Sequence, residues 1–390
     1  MTPRIQVLAD TGDALLDRLA AVRAGGDIPL IGDDRWPQAQ WEAVREQAAT
    51  VPVPEDAAWA TLTSGTSGSP RIVLRTAASW ERSFGAISAL LAGPGEMQPP
   101  TDLSDQQILL PSPPASSLTL FSLAHALAGG PRPVQPTSPD AAGATLFHGT
   151  PQALRSLLAR DAAPQLRTAL VGGSPLDASL RAEAEDRGIR IVSYYGAAEL
   201  SFVAVDTGQG LRAFPGVELA VREGELWVRS PFTALTTLPG VPQTSTGPLR
   251  LDGDWASVGD LASLEDGQLT VHGRVDGAIL TASATVIPEE VEAGLRQLPG
   301  IADALVVGLP VGDVGAGGGI GALVAAILEP EPGTDPPTAR ELKHLAAQRF
   351  TLSHRPRLWF HGTLPRTASG KPARAEALRR LRAGEVERCG

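Results

Sequence analysis

"TALVGGSPLDASLRAEAEDRGIRIVSYYG", residues 168–196, contains one full repeat of the pattern on which the fold rests. TALVGG (168–173) is a short apolar run closed by two glycines. PLDASLRAEAEDRG (175–188) is alanine-rich, polar on one side and glycine-terminated, which predicts a helix. IRIVSYYG (189–196) is a second β-prone run. Strand, helix and strand joined by tight connections predict parallel strands with a helix covering the sheet. The alternation extends upstream through strand 107–112, helix 117–130, strand 144–149 and helix 151–161. In such sheets ligands bind at the loops beyond the strand C-termini.

Outside this core the pattern changes. The first 60 residues predict helix 12–26, strand 28–32 and helix 37–49. A strand at 58–64 then runs into a loop, followed by helix 78–95. Between 210 and 275 hairpin-like segments (216–230 and 266–277) predict a β-rich part. A compact α+β tail comes last, with helix 288–300, two apolar strands within 301–330 and helix 338–350. The fold class expected is α/β. A large N-terminal domain of helix-covered sheets (residues 1–275) precedes a small mobile α+β domain (276–390).

Composition narrows the function. The 390 residues exceed a single ordinary core. A net charge of −10 disfavours a general nucleic-acid binder. Cys389, alone of its kind, excludes an intrachain disulfide and a cysteine-rich metal site, and reads as a tail residue without a role. The start lacks the basic and apolar regions of a signal peptide, and no run of ~18 apolar residues suggests a membrane span. The cytoplasm is the expected compartment.

Chemistry first shows in TSGTSGSPR (63–71). Gly65 and Gly68 let the backbone turn its amides inward, making an anion-binding nest. Thr63, Ser64, Thr66, Ser67 and Ser69 add hydroxyls, and Arg71 adds a charge that can fork onto phosphate. No Lys-Ser/Thr pair follows Gly68, so a P-loop is disfavoured. Four further segments keep this loop company: SYYGAAEL (193–200), SVGDLASL (257–264), HGRVDGAIL (272–280) and LPRTASGKPAR (364–374).

Taken in this order, the five segments resemble the signature motifs of the adenylate-forming superfamily, which includes acyl- and aryl-CoA ligases such as those for o-succinylbenzoate. The resemblance spans residues ~58–375. It implies activation of a carboxylic acid by ATP with release of pyrophosphate, then transfer to the thiol of CoA. Thr63, Ser64, Gly65, Thr66, Ser67, Gly68 and Arg71 would hold the phosphates, with Arg71 where lysine is usual. Gly172, Gly173 and Ser174 would lie against adenine, Tyr195 would stack on it, and Gly196 would allow close approach. Asp260 would grip the ribose hydroxyls, and Arg274 would add a ribose or phosphate contact. Glu199 would hold Mg²⁺, Asp276 would be the hinge, and Lys371 would bridge the carboxylate and the α-phosphate. Phe147, His148, Ser201 and Phe202 are the candidate lining of the acyl pocket.

Several departures accompany the resemblance. The loop begins near residue 63, whereas most relatives have well over 100 residues before it. Ala198 replaces the threonine usual before the glutamate, and LPSPPASS (110–117) lacks the usual aromatic or histidine. Leu280 and Ser283 stand where lysine and glycine are common, so adenylation is better supported than thioester formation. Two other readings stay open: acyl transfer to a separate carrier protein's phosphopantetheine, and a nucleotide-binding regulator without turnover. A basic C-terminal cluster including Arg349, Arg355, Arg357, Arg366, Arg374, Arg379, Arg380 and Arg382 could attract CoA phosphates, and a homodimer is a further expectation.

Overall fold

The computed structural model describes residues 3–9, 14–36, 38–50, 53–63, 71–93, 103–238, 249–274, 279–281, 285–310, 322–334, 337–352, 354–367 and 370–390. Within them the α/β class holds. The predicted parallel core is present as the strands Arg132–Val134, Gln107–Leu109, Leu146–Gly149, Thr168–Val171 and Arg190–Ala197, hydrogen-bonded in that spatial order and all parallel. Their side chains alternate between two apolar layers. Leu146, Leu170 and Val192 face one core, while Phe147, Ala169, Val171 and Ile191 face the other. Both faces are covered, so the central positions of these strands are mostly apolar.

At Arg190–Ala197 the sheet changes character. The next neighbour, Ser201–Asp206, runs antiparallel, and the sheet continues into the β-rich part through Leu211–Ala213, Gln268–Arg274, Asp260–Glu265 and Glu225–Arg229. Among the described residues this one sheet has thirteen strands. The predicted β-rich part is therefore continuous with the parallel core through hydrogen bonds.

The expected helix–strand–helix start is present as Leu15–Ala24, Ile28–Ile31 and Gln38–Thr50, and a second sheet gathers around its strand. Ile5–Leu8, Ile28–Ile31 and Trp59–Thr63 are parallel; Arg71–Arg75 and Thr236–Leu238 add two antiparallel strands. The short Ile5–Leu8 strand and the Arg71–Arg75 strand were not expected. Each is only four or five residues long, too short for alternation to declare it. The Ser117–Leu127 helix lies between the two sheets. Thr119 through His125 are all buried on it, as a helix packed on all sides requires. Its start is fixed by the Ser116 side chain, which accepts a hydrogen bond from the Thr119 amide. Trp80 and Phe121 meet edge to face at 5.7 Å in the same core.

Beyond residue 279 a separate core forms. Ile301–Pro310 and Ala322–Pro330 pair antiparallel, joined by Leu358–His361 and Glu387–Arg388. Val291, Leu295, Val306, Leu342 and Trp359 pack on this sheet. Cys389 belongs here as well. It is buried in that core, and its amide donates to the Trp359 carbonyl at 3.0 Å. The tail reading of Cys389 is thus corrected: the last strand brings it inside. Thr338 and Glu341 cap the Ala339–Arg349 helix reciprocally, a complete capping box.

Candidate active site

The C-terminal ends of the parallel strands meet the lysine loop of the C-terminal part. The loop is a tight turn: the Thr367 amide donates to the Lys371 carbonyl at 2.7 Å, and the Gly370 amide to the Thr367 carbonyl at 2.9 Å. Gly370 has φ +83°, a left-handed conformation that suits glycine. Two arginines anchor the turn. Arg366 reaches Asp303 and Glu329, both at 2.8 Å, and Arg374 reaches Glu289 at 2.8 Å and Glu292 at 2.7 Å. Burial pushes the Glu292 carboxyl up, and the Arg374 charge opposes that shift.

These pairs correct one expectation. Much of the C-terminal basic cluster is neutralised within the protein, since Arg379 and Arg380 also pair with Glu376. Arg366, Arg374, Arg379 and Arg380 each meet a carboxylate of the same chain.

The turn delivers Lys371 to the crevice. Its Cε lies 3.1 Å from where a β-carbon on Gly173 would sit, and Gly370 lies over Thr150, whose hydroxyl would be 3.5 Å from a β-carbon there. Thr150 caps the Pro151–Ala159 helix by accepting from the Ala153 amide. The small residues Thr150, Gly173 and Gly370 thus make the seat for the lysine, and Thr150 was not singled out in the sequence. Ser174 is exposed beside it.

The Arg190–Ala197 strand divides what lies next to that seat. Tyr195 donates its hydroxyl to the Asp260 carboxylate in a short hydrogen bond. Asp260 is buried, and the backbone register sets it opposite Arg274. Tyr194 points to the other face. Its hydroxyl shares a 2.9 Å hydrogen bond with Nε2 of His148, whose Nδ1 shares a 2.7 Å bond with the Ser122 hydroxyl. The Tyr194 ring covers Gly172 so closely that any side chain there would overlap it. Phe202 packs on Tyr194 at 4.6 Å and on Phe121 at 4.8 Å between ring centroids. His148 is 1% exposed. Burial, with a smaller effect of His125, lowers its imidazole to about 3. His125, bonded to Ser88 at 3.0 Å, is lowered to about 4 by burial. Burial also raises the Tyr194 phenol. All three groups are neutral at pH 7.

The four residues expected to line one pocket do not share one environment. His148 and Phe202 come together. Phe147 faces the opposite layer, against Leu154 and Leu180, because adjacent strand residues alternate. Ser201 acts through its backbone: it has φ +59°, and its carbonyl packs on Gly196. Gly196 therefore accommodates close approach by its own neighbouring strand.

Glu199 is buried in the turn after this strand, and its carbonyl accepts from the Ala234 amide at 2.7 Å. Arg75 holds the same turn from behind. Its guanidinium is fully buried and donates to the Ala198 carbonyl through Nε and Nη2 and to the Phe232 carbonyl through Nη1 at 2.6 Å. Burial lowers Arg75 to about 9, and the Glu199 charge opposes the shift. Sequence reading passed over Arg75 and Tyr194. The available signals were a charged residue closing an apolar strand, and a second tyrosine one step out of phase with the first.

Arg71 opens its strand opposite Thr63 in the register. Ser64, Gly65, Thr66, Ser67 and Gly68 lie outside the described residues, as do Asp276 and Ser283. Among the described residues no cluster of three or more His, Cys, Asp or Glu could hold a metal. Among them, too, no helix is long and apolar enough to cross a membrane.

Comparison with known proteins converges on one family. The AMP-binding enzyme family matches residues 6–236. A Mycobacterium tuberculosis protein named probable 2-succinylbenzoate–CoA ligase is 30% identical over 386 residues, 96% of each chain. Another protein of that organism, named medium/long-chain-fatty-acid–[acyl-carrier-protein] ligase, is 28% identical over 54% of this chain and 44% of its own. The solved o-succinylbenzoate CoA synthetase of Bacillus subtilis, in complex with its acyl-adenylate intermediate, shares the fold with a TM-score of 0.73. It is 20% identical over 96% of this chain and 88% of that one.

Proposed function

The chain belongs to the AMP-binding enzyme family, and from that premise we propose how it activates a carboxylic acid with ATP and passes the acyl group to the thiol of CoA. It is an acid–thiol ligase of the AMP-forming type. The observation that carries the reading is the seating of Lys371 against Gly173, at the strand ends that also bear Tyr195, Asp260 and Glu199.

Each residue type suits its task. Adenylation brings a carboxylate and the α-phosphate together, and charge grows at that phosphate as pyrophosphate leaves. Lys371 places a cation where the two anions meet, an interaction strongest in the transition state. Arg71 and the 63–68 loop hold the departing phosphates. Asp260 offers two acceptors to the ribose hydroxyls, and its bond to Tyr195 fixes that ring beside it for the adenine. Arg274, opposite Asp260, adds a contact on the nucleotide side. Gly172, Gly173 and Ser174 border the nucleotide and the lysine together.

Magnesium fits this site as a companion of ATP. Mg²⁺ is commonly held by one or two carboxylates with substrate phosphates, and Glu199 is a buried oxygen donor at the right edge. It would neutralise phosphate charge. Arg75 keeps the Glu199 turn in place from the core. For the second step CoA displaces AMP, and the C-terminal part (276–390) turns about Asp276 relative to residues 1–275. The relative named as a carrier-protein ligase favours one second reading, in which a carrier's phosphopantetheine replaces CoA. The cytoplasm, where ATP and CoA are available, suits either acceptor.

The test is ATP- and magnesium-dependent pyrophosphate release across a panel of carboxylic acids, with Lys371→Ala as control. Release that needs one acid and Lys371 is the expected result. CoA-dependent turnover identifies the acceptor. ATP binding with no release for any acid would instead support a regulator.

A further inference from the structure

The adenylation reading leaves the acid unnamed; the site bounds its chemistry. We propose that the acid is uncharged beyond the carboxylate being activated, and that Tyr194 and His148 set this limit. The inference rests on the adenylation reading.

The reacting carboxylate must lie at Lys371, above Gly173. From there the site has two sides. On one, Tyr195 and Asp260 serve the nucleotide. The body of the acid takes the other, the face that carries Gly172, Tyr194 and His148. On that face the polar groups form a closed chain, Ser122 to His148 to Tyr194, set among Phe121 and Phe202. A neutral imidazole has one proton for its two nitrogens. Whichever nitrogen carries it, the Tyr194 hydroxyl keeps one hydrogen-bonding position for a neutral group.

Among the described residues the hydrogen-bonded chain on this face, Ser122, His148 and Tyr194, includes no cation. His148 and His125 are held neutral by burial. Arg75, the buried cation of the same core, spends its donors on the Ala198 and Phe232 carbonyls and on Ser79. In the backbone register Arg71 lies opposite Thr63 and Arg274 opposite Asp260. The segments outside the described residues contain no Lys, Arg or His. A second carboxylate pressed against Tyr194 and His148 would be buried without a partner, which is costly. An aryl or acyl body with at most a neutral polar group meets no such penalty. 2-Succinylbenzoate, the acid in the name of the Mycobacterium tuberculosis relative, carries two carboxylates and so falls outside the limit.

The experiment uses the full chain and pairs of acids matched in shape: octanoate with suberate, 2-methylbenzoate with phthalate, and 2-butyrylbenzoate with 2-succinylbenzoate. Pyrophosphate release gives kcat/KM for each. The monoacid of the best-used pair should exceed its diacid on the order of 100-fold. A diacid that equals or exceeds its partner overturns the proposal and leaves adenylation standing. Silence across the whole panel overturns the adenylation reading, and this proposal with it. Tyr194→Phe removes only a hydroxyl. It should change KM for the acid about 3- to 10-fold and leave KM for ATP as it was. A change confined to ATP would overturn the assignment of Tyr194 to the acid.

Discussion

The two tyrosines of this chain are neighbours, and their hydroxyls meet different surroundings. Tyr195 meets a carboxylate, Asp260, at the border between the parallel and antiparallel strands. Tyr194 meets a neutral imidazole in an aromatic core. One step along a strand reverses side-chain direction, so one peptide separates a charged environment from an uncharged one. On the proposed reading the Tyr195 side takes the nucleotide and the Tyr194 side takes the acid, so the same strand would keep the two substrates of one reaction in different dielectric surroundings.

Substitutions test this division. The largest effect belongs to the residue that joins the halves: Lys371→Ala should lower pyrophosphate release on the order of 100- to 1000-fold with ATP still bound, measured by single-turnover kinetics and ATP titration. Asp260→Ala should then raise KM for ATP by about 10- to 100-fold, the loss of hydrogen bonds to a charged group, with KM for the acid little changed. Gly172→Ala strikes the other half. Its methyl group would overlap the Tyr194 ring, and the overpacking should cost about 1–3 kcal/mol of stability, read as a fall in Tm.

Acid should weaken the uncharged half first. His148 and His125 are lowered to about 3 and about 4 in the folded protein. Below the ordinary histidine pKa of about 6.5 the unfolded chain takes up protons that the folded chain refuses. Stability is therefore complete above about pH 6.5 and falls as the pH drops toward the folded values. Each histidine contributes a slope of up to about 1.4 kcal/mol per pH unit. A Tm–pH series should show this fall, and His148→Phe should flatten it. The smallest effect expected is that of Tyr195→Phe, about 5-fold on KM for ATP, one hydrogen bond's worth.

The sequence made the parallel core plain, because three strand–helix pairs and a closing strand reinforce one another. It also marked Asp260, Glu199 and Lys371, since each stands in a short segment of distinctive composition. What it hid depends on packing across long separations. Arg75 bonds to a carbonyl 123 residues away, and no local pattern announces such a partner. Phe147 and His148 are adjacent and similar in setting by sequence, yet the strand turns them to opposite layers. Ser201 carries a backbone role in a left-handed conformation, which a non-glycine residue does not advertise. Cys389 read as a tail residue because two residues of strand suffice to bring a chain end into a core.

The Arg190–Ala197 strand is hydrogen-bonded along both edges, to a parallel neighbour and an antiparallel one. Central strands of this kind open only with the unfolding of their surroundings. In a hydrogen–deuterium exchange record the amides of Tyr194 and Tyr195 should be among the last to lose protection. On the proposed reading, the partition between the two substrates would rest on the part of the molecule that is slowest to open.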